Sequence, residues 1–174
     1  MTNKTKVMVR TALFIAIVFV ATNIRVHIPI FMAQGGLVHI GTLVMFVIAV
    51  KYGKRYGALS GGIGMTLFDL LSEWAYWAPG TFVARILAGF VFGLVAQSKE
   101  GQGKNMTKNV LALFAGGAII VVVYLLFEAF YLGYGLQVAA LSIPGNLIQL
   151  LIASFGLFIL KSMPEIEEVE KLGA

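Results

Sequence analysis

Eleven of the thirteen Lys and Arg residues of this 174-residue chain fall into four short clusters, and the long apolar stretches between the clusters are nearly free of charge. Lys4, Lys6 and Arg10 precede the first apolar run, and Lys51, Lys54 and Arg55 separate the second from the third. Lys99, Lys104 and Lys108 separate the fourth from the fifth, and Lys161 and Lys171 follow the last. Lys and Arg beside membrane spans are retained on the cytoplasmic side. The alternation therefore predicts both termini and two loops inside, with three loops outside. Arg25, Asp69, Glu73, Arg85 and Glu128 are the charges this rule leaves over. The same topology puts all five toward the outer surface.

With 59% hydrophobic and 12% charged residues, against about 45–50% and about 25% in soluble domains, the expected class is an all-α integral membrane protein. The expected spans are 7–24, 37–50, 56–71, 80–96, 109–132 and 141–160. At about 20 residues each they consume most of the chain and leave room for loops and short tails only, hence one membrane domain made of a compact six-helix bundle. The first run has the basic start of a signal peptide, but Asn23-Ile24-Arg25 offers no small-residue cleavage pattern, so it is expected to stay as a helix. The chain contains no Cys, which excludes disulfides and thiol chemistry. The net charge of +5 is a topological signal. Because the basic residues border spans instead of sharing one face, nucleic-acid binding is not expected.

Counted from the outside end of each span, the polar side chains gather in the outer third of the membrane. Asn23 ends the first span, His39 begins the second and Asp69 closes the third. Arg85 stands about 7.5 Å into the fourth. Glu128 lies about one turn from the outer end of the fifth, with Tyr131 nearby, and Asn146 and Gln149 share a face of the sixth. No comparable set occurs in the inner half. An ionisable side chain inside a span faces the bundle interior and takes a partner, so Arg85 and Glu128 either pair with each other or contact a polar ligand. Glu73, Trp74, Tyr76 and Trp77 crowd the connection between the third and fourth spans. Their rings serve either as anchors at the headgroup level or as faces for a planar heterocycle.

Other chemistry finds no support. His27 and His39 are the only histidines, and no acidic or imidazole cluster has metal-ligand spacing, so neither a metal nor a cofactor is expected. Gly101-Gln102-Gly103-Lys104 lacks the spacing of a phosphate-binding loop, and Ser60, Ser72 and Ser142 have no recognisable His partner. The chain is not expected to be an enzyme or to hydrolyse ATP. Small residues recur four apart at Ala12 and Ala16, Gly57 and Gly61, Ala58 and Gly62, Gly89 and Gly93, and Ala112 and Gly116. Such pairs let helices approach closely, either within the bundle or against a partner, and the partner role suits Ala12 and Ala16 on the peripheral first helix.

The stretch from Gly36 to Gly93, with Leu37-Val38-His39-Ile40-Gly41, Tyr56-Gly57-Ala58-Leu59-Ser60-Gly61-Gly62-Ile63-Gly64, Asp69-Leu70-Leu71-Ser72 and Trp77-Ala78-Pro79-Gly80-Thr81, is similar to the substrate-binding S components of energy-coupling factor (ECF) vitamin transporters. The similarity is greatest to the branch containing riboflavin, hydroxymethylpyrimidine and pyridoxine types, and Ile143-Pro144-Gly145-Asn146-Leu147-Ile148-Gln149 fits that branch too. The resemblance implies a subunit of the bacterial cytoplasmic membrane that binds a vitamin or precursor from outside. It implies partnership with a membrane coupling (T) component and two cytoplasmic ATPases that drive its reorientation. It also implies that Ala12 and Ala16 match the AxxxA motif that contacts the coupling protein, and that segment 25–35 is an irregular lid. The expected substrate-binding residues are Asn23, His39, Glu73, Trp74, Trp77, Arg85, Glu128, Tyr131, Asn146 and Gln149. Pyridoxine or hydroxymethylpyrimidine is the first ligand expectation and riboflavin the second. The alternative is a self-contained channel or permease for a small polar solute, which requires a polar path through the inner half. A membrane enzyme is a third, weaker reading.

Overall fold

The computed structural model describes residues 2–28, 36–98 and 103–163. Helix α1 (Asn3–Asn23) is capped by the Thr2 hydroxyl, which accepts from the Thr5 amide, and leads into a two-stranded antiparallel hairpin of β1 (Arg25–Ile28) and β2 (Gly36–His39). Then follow α2 (Gly41–Tyr52), α3 (Lys54–Leu70), a 3-10 turn at Ala75–Trp77 and α4 (Ala78–Ala96). Helix α5 (Met106–Leu126) runs on into a π-helical turn, Phe127–Tyr131, and is followed by α6 (Gly135–Ala139), α7 (Ile143–Ser154) and α8 (Gly156–Ser162).

Two expectations change. Residues 37–39, assigned above to the second span, are strand. Leu37 and Val38 are as apolar as a helix start, but they pair with His27 and Val26 across the hairpin, and the helix begins only at Gly41. Segment 25–28, expected to be irregular, is strand as well, while the rest of the expected lid, 29–35, lies outside the described residues, as do Lys99, Gly101, Gln102 and Lys171. Among the described residues, four helical stretches are long and apolar enough to cross a bilayer: Asn3–Asn23, Ala75–Ala96, Met106–Tyr131 and Gly135–Ser162. Helix α2, at 12 residues, is about 18 Å long.

Helices α3 and α4 form the most extensive contact of the bundle, with α1, α2 and α5 packed around them. Glycine makes that contact possible. A Cβ on Gly89 would stand 2.4 Å from the Gly57 carbonyl oxygen, and a Cβ on Gly93 would stand 2.3 Å from the Lys54 amide nitrogen. The pairs Gly57/Gly61 and Gly89/Gly93 therefore serve packing inside the bundle. Ala12 and Ala16 do not, because both are exposed on the face of α1 opposite buried Phe14 and Val18. Phe46 and Phe92 meet edge to face at 5.2 Å in the middle of a core that also contains Met45, Ala88 and Ile120. At the end bearing Lys51, Lys54 and Lys104, side chains tie the loops down. Gln97 donates to the Val50 carbonyl at 3.1 Å, and Asn109 donates to the Gly103 carbonyl at 2.8 Å.

Candidate ligand-binding site

The opposite end of the bundle is hollow. A pocket of about 670 Å³, counting its open mouth, lies between β2 and helices α3, α4, α5 and α7. Its deepest polar layer is built around Gln149. The Gln149 side-chain oxygen accepts from the His39 amide at 3.0 Å, while its nitrogen donates to the His39 carbonyl and to the Thr42 hydroxyl, each at 2.7 Å. Thr42 in turn accepts from Arg85 Nη1 at 3.0 Å. A chain of bonds thus ties the end of β2 and the first turn of α2 to α7 and α4. His39 Nδ1 accepts from the Gly41 amide at 3.1 Å, so the neutral ring carries its proton on Nε2.

Arg85 is 3% exposed, and its guanidinium lies 5.4 Å from the Tyr124 ring. Thr81, one turn before it on α4, shares a hydrogen bond of 2.8 Å with the Tyr124 hydroxyl. Higher on the wall, Trp77 Nε1 donates to Glu128 Oε1 at 3.4 Å, and the Trp74 and Trp77 rings stand 5.4 Å apart at 60°. Asn146, half-buried on the first turn of α7, donates to the Ser142 carbonyl at 3.2 Å. Three buried polar atoms on this wall lack a hydrogen-bond partner among the described residues: Asp69 Oδ2, Arg85 Nε and Glu128 Oε2. The Thr81 and Ser142 hydroxyls also stand within reach of the Asp69 and Glu128 carboxyls, so the wall combines two carboxyls and a guanidinium with hydroxyl, amide and indole donors.

Of the residues expected from sequence, the structure brings His39, Trp74, Trp77, Arg85, Glu128, Asn146 and Gln149 onto one pocket. Asn23, Glu73 and Tyr131 stand off its wall, each for a local reason. Asn23 turns its amide back onto the Phe19 carbonyl at 2.8 Å. Glu73 sits on the rim, pairing with Arg25 on β1 at 3.2 Å and accepting from Trp74 Nε1 at 3.2 Å. A bond to its own backbone amide, and then Arg25, hold its carboxyl below its ordinary range. Tyr131 is 68% exposed and stacks on Phe127. The π turn places an extra residue in that turn of helix, as seen in the Leu132 amide bonding the Phe127 carbonyl, so Tyr131 rotates away from the face of Glu128.

The pair weighed above for Arg85 and Glu128 does not form. Among the described residues no carboxylate lies within 4.0 Å of the Arg85 guanidinium, which instead donates to the Thr42 hydroxyl. The lining also includes residues absent from the sequence expectation: Asp69, Thr81, Tyr124 and Ser142. Asp69 is visible in the sequence as an unexplained charge. Thr81 precedes Arg85 by four positions, a spacing that places both on one helix face.

One comparison with known proteins shows the family, and two others give relatives and a matching fold. The family model for the S component of ECF-type riboflavin transporters matches residues 2–163. A pantothenate transporter, PanT, of Leuconostoc mesenteroides subsp. mesenteroides is 33% identical over 137 residues, 66% of this chain and 62% of that protein. A protein of Pyrococcus woesei described as an uncharacterized protein in the gap 3′ region is 29% identical over 128 residues, 74% of this chain and 81% of its own length. Among solved structures, that of the S component of a bacterial ECF transporter matches with a TM-score of 0.65 at 20% identity, covering 91% of this chain and 95% of that one.

Proposed function

The chain belongs to the family of S components of ECF-type riboflavin transporters, and from that premise we propose that its pocket captures a small water-soluble vitamin or precursor at the outer membrane surface. Members of this family are transport subunits, with ATP hydrolysis left to separate subunits. In this proposal six helices span the membrane with both termini inside, a T component and two ATPase subunits reorient the loaded protein, and the end bearing the hairpin faces out. The carrying observation is the convergence of Asp69, Arg85, Glu128 and Asn146 on one pocket walled by Trp74 and Trp77. Hydrogen-bonding groups beside indole faces suit a planar heterocycle. Pyridoxine or hydroxymethylpyrimidine is the first choice of ligand and riboflavin the second, and the name of the Leuconostoc relative adds pantothenate to the candidates.

A through-channel finds less support. Below the layer of Arg85, Thr42 and Gln149, the packing is Met45, Phe46, Ala88 and Phe92, with no continuing polar path among the described residues. Titration of the purified protein with the four candidate vitamins, alongside mass spectrometry of whatever co-purifies, tests the proposal. One vitamin should bind tightly, and Glu128→Ala and Asn146→Ala should each weaken it at least tenfold. Unchanged affinity in both variants would dismiss the pocket.

The exposed alanines of α1 support docking of the coupling protein there. Replacing Ala12 and Ala16 together by Leu is expected to abolish vitamin uptake in cells expressing the full transporter while leaving binding by the purified subunit within twofold. Loss of binding would instead assign those positions to the fold.

A further inference from the structure

The pocket's own charge balance selects among ligand classes. Asp69, in the last turn of α3, and Glu128, in the π turn after α5, are each 5% exposed and line the same cavity. Neither carboxylate reaches Arg85 within 4.0 Å. The Arg85 guanidinium already gives Nη1 to Thr42 and lies beside the Tyr124 ring. Trp77 Nε1 donates to Glu128 Oε1 at 3.4 Å, and the Ser142 hydroxyl stands within reach of the same carboxyl. The acidic and guanidinium groups lining the pocket are therefore two carboxyls, which accept when ionised, against one guanidinium, which only donates. The ionised site carries two negative charges and one positive. A ligand carboxylate or phosphate would bring further negative charge to a wall of two carboxyls and one guanidinium, and like charges repel strongly where water is excluded. A ligand N–H or a cationic ring meets the opposite situation, with the Asp69 and Glu128 carboxyls to accept from it and the Trp74 and Trp77 indole faces to favour positive charge.

We propose that this pocket is specific for a neutral or cationic heterocycle that donates hydrogen bonds from an amino group, ring N–H or protonated ring nitrogen to Glu128 and Asp69, and that it rejects anionic vitamins. The inference rests on the S-component reading of the pocket and narrows it. It sets this chain apart from a pantothenate carrier, since pantothenate is an acyclic carboxylate.

Matched probes test it. The full-length protein in nanodiscs is titrated calorimetrically with 4-amino-5-hydroxymethyl-2-methylpyrimidine and its phosphate ester, pyridoxamine and its 5′-phosphate, pantothenol and pantothenate, and riboflavin. At least one uncharged or cationic heterocycle should bind, and a phosphate on the same ring should weaken binding at least 100-fold. Glu128→Gln and Asp69→Asn, which keep side-chain shape, should each weaken the heterocycle at least tenfold. Tighter binding of pantothenate than of pantothenol, or of either phosphate ester than of its parent, overturns the charge inference and leaves the S-component reading standing. Failure of every probe to bind overturns both the charge inference and the proposed capture of these vitamins. The wild-type pairs distinguish these outcomes even where a variant fails to fold.

Discussion

Gly89→Ala is expected to remove most of the folded protein. Its new methyl would stand 2.4 Å from the Gly57 carbonyl oxygen and 2.6 Å from the Gly57 carbonyl carbon, so the obstacle is backbone, which cannot rotate aside. Relief requires α3 and α4 to separate along their main contact, and Gly93, one turn further on against Lys54, requires the same closeness. Overpacking of a tight core costs about 1–3 kcal/mol, and this substitution belongs at the upper end, about 3 kcal/mol. Gly117→Ala is the matched control. There the nearest atoms to the new methyl all belong to the half-buried Leu150 side chain, the closest at 2.7 Å, and a flexible side chain can give where backbone cannot. Size-exclusion profiles and thermal melting in the same detergent should show aggregated or strongly destabilised Gly89→Ala beside near-normal Gly117→Ala. Equal behaviour of the two would show that α3 and α4 are not in backbone contact.

Gln149→Leu should strike both the fold and the site. The amide bonds both backbone groups of His39 and the Thr42 hydroxyl, all buried, and a leucine of similar size replaces none of these bonds. A buried group left without its partner costs about 1–3 kcal/mol, so the expected loss of stability is about 3 kcal/mol. Thr42 would also lose its second partner, and with it the fixed orientation that aims Arg85 into the pocket. Affinity for the bound vitamin should therefore fall at least tenfold. Gln149→Glu separates the two effects, since its carboxylate still accepts from the His39 amide but sets an oxygen against the His39 carbonyl. An affinity in Gln149→Leu equal to wild type would remove Gln149 from the binding apparatus.

Much of this arrangement is visible in the amino-acid sequence because charge, helical period and small residues act over short distances. The basic clusters mark one end of the bundle, and the four-residue spacing of glycines marks the helices that touch. Counting along α4 is enough to place Arg85 at pocket depth. What stays hidden depends on partners distant in the chain or on backbone irregularity. Leu37 and Val38 read as helix because the segment they pair with reveals its strand character only once the hairpin forms. The π turn has no sequence signal in Phe127-Glu128-Ala129-Phe130-Tyr131, so a regular helical count puts Tyr131 on a face from which the extra residue removes it. Thr42 is a lone hydroxyl in an apolar helix until Gln149, 107 positions away, and Arg85, 43 away, converge on it.

The brevity of α2 has a consequence for the pocket's depth. A helix of about 18 Å cannot fill a hydrocarbon layer of about 30 Å, and the missing two turns are where Leu37 and His39 of β2 now form part of the pocket wall. The cup is carved by a helix that starts late. The first turn of α2 brings Thr42 to the layer of Gln149 and Arg85, so the helix's late start helps set how deep the cup can reach. An insertion that lengthened α2 by two turns at Ile40 would turn the vessel into a plug while every ligand-facing side chain kept its identity.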